Sequence, residues 1–265
     1  MYLEKGKVRA REERGCGYYW LEIESPTVAA AAVPGQFVHV RVGEKESMDP
    51  LLRRPISLAR IERAKGRIGL LYRVVGRGTE LLSRVCEGAE LDLMGPLGRG
   101  FTLVEKGKRV AVIGGGIGAA PLFPLVAELA ARRAEVRFFL GAASHSHLQA
   151  LQPEKMITGG ELVLATDDGS AGFAGRVTDL LRQEIGPFRP DFFYACGPVP
   201  MLRAVQQLMA ELSVPGELSL EERMGCGVGA CLACVCKVRS AEAPFTYRKV
   251  CSDGPVFPAG EVLLD

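Results

Sequence analysis

Hydrophobic and polar positions change period along this chain, and the change divides it. Phe37-Val38-His39-Val40-Arg41-Val42 alternates, with Val38, Val40 and Val42 on one face, the period of a half-buried strand. Ile68 to Val75 predicts a second strand and Leu91-Asp92-Leu93 a third. Turn pairs separate them: Pro34-Gly35, Lys65-Gly66, Glu87-Gly88 and Gly95-Pro96. Short strands at this spacing predict a β-sandwich or small antiparallel β-barrel over residues 1–101.

The pattern shifts near Phe101. Val110 to Ile113, Val136 to Leu140, Leu162 to Ala165 and Phe192 to Ala195 are short apolar runs. Between them, Pro121 to Arg133 and Met201 to Leu212 read as helices, the first with proline tolerated in its opening turn. Strands alternating with helices predict a doubly wound parallel sheet over residues 102–215. Residues 216–265 are rich in Gly and Cys with little periodicity, so something other than an apolar core must hold them. The expected fold class is therefore β plus α/β: a barrel, a nucleotide-binding sheet and a C-terminal cysteine-rich segment.

Composition narrows the function classes. The 265 residues are 48% hydrophobic, enough for real cores, which excludes a disordered chain. The 33 basic and 31 acidic residues nearly cancel, which argues against a nucleic-acid footprint. No apolar stretch follows Met1-Tyr2-Leu3-Glu4-Lys5-Gly6-Lys7, so no secretory signal is expected. Val110 to Ala127 carries no charge, as a membrane span would. It also holds Gly114, Gly115, Gly116, Gly118, Pro121 and Pro124, which suit a strand, a phosphate turn and a helix. Five of the eight cysteines crowd into the last 40 residues. Such a cluster in an enzyme-sized chain points to metal binding in a reducing cytoplasm.

Cys226, Cys231 and Cys234 are spaced C-x4-C-x2-C, and a fourth candidate ligand, Cys251, is separated from Cys234 by sixteen residues. This is the plant-type ferredoxin spacing of a 2Fe-2S cluster. Gly225, Gly227, Gly229 and Ala230 let the backbone wrap close, so its N–H groups can reach the sulfurs. The rival is structural zinc, although zinc ribbons pair two knuckles and Cys251 stands alone. Cys236 is either an alternative ligand or a packed thiol. Ile113-Gly114-Gly115-Gly116-Ile117-Gly118 follows a strand and opens a helix, which suits a pyrophosphate at a helix N-terminus; its plainer reading is a tight βα turn. A second Gly-x-Gly turn, Gly76-Arg77-Gly78-Thr79, follows a strand, and Thr79 is expected to cap a helix from Glu80 to Val85. Arg53 and Arg54 upstream suit a diphosphate clamp. Together they point to a second dinucleotide, a flavin.

The order Arg-Pro-x-Ser, Gly-x-Gly-Thr, Gly-Gly-Gly-x-Gly and Cys-Gly-Pro resembles the ferredoxin–NADP reductase family. With Glu221-Glu222-Arg223-Met224-Gly225-Cys226 and Cys251 to Phe257, nearly the whole chain resembles the electron-transfer subunits of the two-subunit, NAD-dependent dihydroorotate dehydrogenases. The resemblance implies FAD at Arg54, Pro55, Ile56 and Ser57, with Arg54 on the pyrophosphate and Ser57 near the ring. The broader family usually has an aromatic at the place of Ile56. It implies a second FAD segment at Leu71, Tyr72, Arg73, Gly78 and Thr79. It places the NAD phosphate turn at Gly114, Gly115, Gly116 and Gly118, Cys196, Gly197 and Pro198 beside the nicotinamide, and the cluster on Cys226, Cys231, Cys234 and Cys251. No side chain is expected to act as an acid, base or nucleophile. Gly141 to Pro153 lacks Lys and Arg and carries His145 and His147, which leans toward NAD over NADP, because a 2′-phosphate needs a cation. Asp167-Asp168-Gly169 reads as a loop near the cofactor. A dihydroorotate-oxidising TIM barrel takes about 250 residues, so that reaction falls to a partner. The resemblance gives that partner FMN and implies a cytoplasmic heterotetramer of two heterodimers. The alternative is the same redox engine serving a hydrogenase or sulfide-dehydrogenase-like complex. A non-enzymatic reading, a zinc-stapled nucleotide-binding regulator, needs all three motifs to be coincidental.

Overall fold

The computed structural model describes residues 1–43 and 49–264. Six antiparallel strands close a barrel in the order β1-β2-β5-β4-β3-β6. They are β1 (Tyr2–Gly15), β2 (Tyr18–Glu24), β3 (Phe37–Val40), β4 (Arg54–Glu62), β5 (Arg67–Arg73) and β6 (Glu90–Leu97). Two short helices, α1 (Pro26–Ala31) and α2 (Arg77–Ser83), sit against it. Val38, Val40, Leu58, Leu70 and Leu93 fill the interior, each fully buried. The predicted barrel and its three predicted strands are present. Closure leaves no free edge, which is how a small antiparallel sheet avoids pairing with other chains.

The second unit is a seven-stranded sheet in the order β10-β9-β8-β7-β11-β12-β15. Its strands are β7 (Arg109–Gly115), β8 (Glu135–Ala142), β9 (Glu161–Thr166), β10 (Phe173–Ala174), β11 (Phe192–Cys196), β12 (Gly216–Ser219) and β15 (Val256–Pro258). All pairs are parallel except β12 with β15. The helices are α3 (Leu122–Ala131), α4 (His145–Leu151), α5 (Pro153–Met156), α6 (Val177–Phe188) and α7 (Val199–Glu211). The chain winds outward from β7 through β8 and β9, then returns to β11 on the other side of β7. The carboxyl ends of β7 and β11 therefore flank a topological switch point, the usual crevice of such sheets.

Residues 216–265 are less separate than their composition suggests. Gly216–Ser219 and Val256–Pro258 extend the nucleotide sheet through β11. The cysteine loop and a small hairpin, β13 (Val235–Val238) with β14 (Thr246–Lys249), lie between those two strands. The apolar core that holds this segment belongs to its neighbours. Cys234, Cys251 and Phe257 pack with Phe37 and Leu97 of the barrel and Ile113 of the sheet.

The barrel and sheet share a core as well. Tyr18, Trp20 and Leu71 pack with Phe101, Val112 and Phe138. Arg14 and Arg60 each place a guanidinium 4.8 Å from the Trp20 ring. Both also donate to Met156 Sδ of α5, at 3.9 and 3.6 Å. Burying each such side chain contributes about 1.5–3 kcal/mol, so the two units are fixed in relation to each other. Among the described residues no helix is long and apolar enough to cross a membrane; Val110 to Ala127 is β7, a glycine turn and the start of α3.

Candidate functional site

At the switch point Gly114 of β7 pairs with Cys196 of β11, and Gly115 with Gly141 of β8. Gly115 and Gly118, on either side of the turn that follows, leave no room for a side chain. A Cβ on Gly118 would come within 2.6 Å of Gly197 Cα, and one on Gly115 within 2.6 Å of Met201 Sδ and 2.9 Å of Pro198 Cδ. Gly114 to Gly118 and Cys196-Gly197-Pro198, far apart in sequence, are thus a single interlocked pair of turns. Gly115 to Gly118, Gly197 and Pro198 line a cleft of about 530 Å³ that also takes in Gly141, Asp167, Arg176 and Glu221, whereas Gly114 and Cys196 lie behind its wall. The barrel contributes Tyr18 and Arg73 to the same cleft. Cys196 is 1% exposed, and burial pushes its thiol far above the ordinary range, with the Glu221 charge adding to the effect. It is a packed thiol and cannot serve as a nucleophile. Desolvation by the surrounding protein also raises the carboxyl of Glu221, although the residue is open to the cleft.

The predicted flavin segment opens β4. There Arg54, Pro55, Ile56 and Ser57 stand opposite Val40, His39, Val38 and Phe37 of β3. Ile56 turns into the barrel core, so it offers a ligand only its backbone. Leu71 and Tyr72 are likewise core residues, 2% and 3% exposed, whereas Arg73 is exposed. The Arg54 side chain lies on Gly78, where a Cβ would come within 2.2 Å of Nε. The two predicted flavin segments therefore meet. Thr79 differs from expectation: α2 begins at Arg77, so Thr79 sits inside its first turn. Its hydroxyl accepts from the N–H of Val75 and of Gly76 at 2.9 and 3.2 Å and donates to the Gly76 carbonyl at 2.9 Å. The helix thus starts three residues earlier than a side-chain cap at 79 would place it.

The four cysteines fall into two pairs. Cys226 and Cys231 bring their sulfurs to 3.3 Å, and the side chains of Cys234 and Cys251 hydrogen-bond each other. Backbone N–H groups already point at the sulfurs. Val228 and Cys231 donate to Cys226 Sγ at 3.5 and 3.4 Å, and Gly229 donates to Cys251 Sγ at 3.2 Å. The backbone N–H of Cys231, then that of Val228, draws the Cys226 thiol down to about 6. Burial, then the neighbouring Cys234, pushes Cys251 up to about 12. Gly227 and Gly229 have φ of +73° and +80°, which suits glycine at both bends. Among the described residues no three His, Cys, Asp or Glu side chains are placed to hold one metal ion. Two thiol pairs under N–H donors fit a two-iron centre better than a single zinc. Cys236 lies outside the loop, on β13 opposite Arg248, half-buried and pushed up to about 11 by burial.

Three residues of this region were not singled out by sequence. Tyr18 carries no local signal. Arg176 lies well beyond the 141–153 segment that follows β8. His39 is visible only as the residue on the face opposite Val38 and Val40. It is 1% exposed, and burial, then the charge of Arg53, holds its ring down at about 4.

The comparisons agree with this geometry. Residues 221–263 match the iron-sulfur cluster binding domain of dihydroorotate dehydrogenase B, and residues 112–207 the oxidoreductase NAD-binding domain. The chain is 49% identical over 251 residues to the dihydroorotate dehydrogenase B (NAD(+)) electron transfer subunit of Desulforamulus reducens, covering 93% of each chain. It is 48% identical to the subunit of the same name from Geobacillus thermodenitrificans, again over 93% of each. Among solved structures, a chain of an NADH-dependent reduced ferredoxin-NADP oxidoreductase superposes with a TM-score of 0.83 at 30% identity, over 99% of this chain and 91% of the other. A ferredoxin NADP+ reductase from Neisseria gonorrhoeae shares the fold, with a TM-score of 0.64 at 17% identity over 80% of this chain and 92% of the other. With near-half identity spread over almost its full length, the chain belongs to the electron transfer subunits of NAD-dependent dihydroorotate dehydrogenase B, within the ferredoxin–NADP reductase-like superfamily.

Proposed function

We propose that this subunit carries electrons from a dihydroorotate-oxidising partner to NAD+ in pyrimidine biosynthesis, using a 2Fe-2S cluster and FAD. One observation carries the reading: the cysteine loop packs on the barrel strand that faces the flavin segment, while the barrel's own Arg73 and Tyr18 line the nucleotide cleft. Three candidate redox sites thus meet at one junction. When bound, FAD exchanges a hydride with nicotinamide and single electrons with an iron–sulfur cluster.

Arg54, with the N-terminal turn of α2 at Gly78 and Thr79, would hold the FAD pyrophosphate. Pro55, Ser57 and the backbone of Ile56 would line its ring. Leu71 and Tyr72 would support that site from the core, and Arg73 would reach the nucleotide side. Gly114, Gly115, Gly116 and Gly118 would admit the NAD pyrophosphate. Gly197 and Pro198 would wall the nicotinamide, with Cys196 buried behind them. Cys226, Cys231, Cys234 and Cys251 would hold the cluster. Asp167 at the end of β9 favours NAD, because its charge repels a 2′-phosphate.

The partner is an FMN-containing catalytic subunit, assembled with this one as a cytoplasmic heterotetramer. Val228 and Leu232, 42% and 72% exposed, flank the cysteines and suit that contact. The near-complete superposition on the ferredoxin-NADP oxidoreductase chain favours a second reading, the same engine with another electron donor or acceptor. Co-purification separates the two: an FMN subunit supports the first, a larger flavoprotein or hydrogenase the second.

The test is an absorption spectrum of the purified chain before and after anaerobic NADH. Flavin bands over broad iron–sulfur absorption, both bleaching, are expected. A colourless protein, or flavin with zinc and no iron, would overturn the reading.

A further inference from the structure

His39 is the polar residue of the barrel that the fold leaves unexplained. Neither ring nitrogen has a hydrogen-bond partner among the described residues, and the side chain is sealed from solvent. Buried imidazoles ordinarily use their nitrogens. The alternation of β3 accounts for its direction. Val38 and Val40 point into the barrel core, and Phe37 packs outward with Leu97, Cys234 and Cys251. An apolar residue would satisfy that outer face equally well.

Two neighbours define what the ring touches. In the β3–β4 register His39 stands opposite Pro55 of the flavin segment. On its other flank is Gly227, where a Cβ would come within 2.5 Å of His39 Nδ1. Gly227 is the residue after Cys226 in the cysteine loop. Burial and the charges of Arg53 and Arg54 keep the ring neutral at physiological pH. A neutral ring has one N–H to give.

We propose that His39 is the positioning residue of the cysteine loop, its ring donating an N–H hydrogen bond to a sulfur of the iron–sulfur group across the junction with the flavin strand. This rests on the reading that the loop holds such a group. The ring keeps its proton while the group gains or loses one electron. A fixed donor favours the more negative, reduced state and so raises the reduction potential.

Two measurements on the full-length, cluster-loaded chain test this. Pulsed electron paramagnetic resonance of the reduced cluster, on protein labelled with nitrogen-15 histidine, reads the contact without a substitution. The chain has three histidines, and the other two, His145 and His147, lie on α4 in the nucleotide unit. A histidine nitrogen coupling is expected. A redox titration then compares His39→Leu with His39→Gln, which retains an N–H donor. His39→Leu should lower the cluster's reduction equilibrium about tenfold, a shift of about 59 mV for one electron, and His39→Gln should restore most of it. A normal cluster signal with no histidine coupling and an unchanged potential in His39→Leu would overturn the inference alone. No cluster signal in the unsubstituted chain would overturn the underlying reading with it.

Discussion

Arg54 and Gly78 are in contact across 24 positions of sequence: a Cβ on residue 78 would lie 2.2 Å from Arg54 Nε. The contact joins the start of β4 to the first turn of α2, laying the Arg54 side chain against the helix end where a pyrophosphate is expected, while its Nη1 donates to the Leu52 carbonyl at 2.6 Å. Gly78→Ala should therefore displace Arg54. FAD affinity should fall about tenfold or more, the scale of one charge-assisted hydrogen bond, although alanine favours the helix itself. Flavin titration into stripped protein checks this, with Arg54→Lys expected to weaken binding similarly because the bidentate fork is lost.

Gly118 and Gly197 are similarly interlocked. A Cβ at 118 would stand 2.6 Å from Gly197 Cα, and backbone cannot rotate away as a side chain can. Gly118→Ala should destabilise the chain by about 1–3 kcal/mol and raise the Kd for NADH while leaving flavin content intact. Thermal unfolding and NADH titration read the two effects separately.

Asp167 lines the nucleotide cleft together with Arg176, a cation that the 141–153 segment does not supply. Neighbouring Asp168 is held ionised by hydrogen bonds from Ser170. Asp167→Ser should improve kcat/KM for NADPH relative to NADH by about tenfold, by removing like-charge repulsion while leaving Arg176 in place. Diaphorase assays with both nucleotides measure the ratio.

Replacing Cys226, Cys231, Cys234 or Cys251 singly by Ser should remove most of the iron–sulfur absorption. Cys236→Ser should retain it, because Cys236 lies on β13 outside the loop. Iron analysis per chain distinguishes the two classes.

Glu217 gives the fold a pH dependence. It is 8% exposed, and burial raises its carboxyl above the usual 4.5, against an opposing hydrogen bond from Thr102. With a raised folded pKa, the unfolded chain releases this proton first, so the group's contribution is fully present below about 4.5 and declines as pH rises through the folded value. Glu217→Gln should be more stable than the parent at pH 8, and the difference should vanish toward pH 4. Urea unfolding at both pH values checks the sign.

Local chemistry was legible without coordinates. The C-x4-C-x2-C spacing, the glycine turn after Val110 to Ile113 and the valine alternation of 37–42 each depend on residues within a few positions of one another. Their geometry follows from backbone reach and side-chain period. The charged strand β1, Tyr2–Gly15, was less legible because it pairs on both edges while exposing many of its side chains.

By itself the sequence pointed to three candidate sites in order along the chain: a paired arginine and glycine segment suited to a flavin, a nucleotide turn and a four-cysteine loop. Only the tertiary structure decided how they meet. Barrel closure sets Arg54 on Gly78, and the β7–β11 pairing locks Gly118 against Gly197. The return of β15 to β12 carries the cysteine loop onto the barrel, where Gly227 rests on His39. Each of these contacts is set by long-range strand pairing, which a local pattern of hydrophobic and polar residues does not encode.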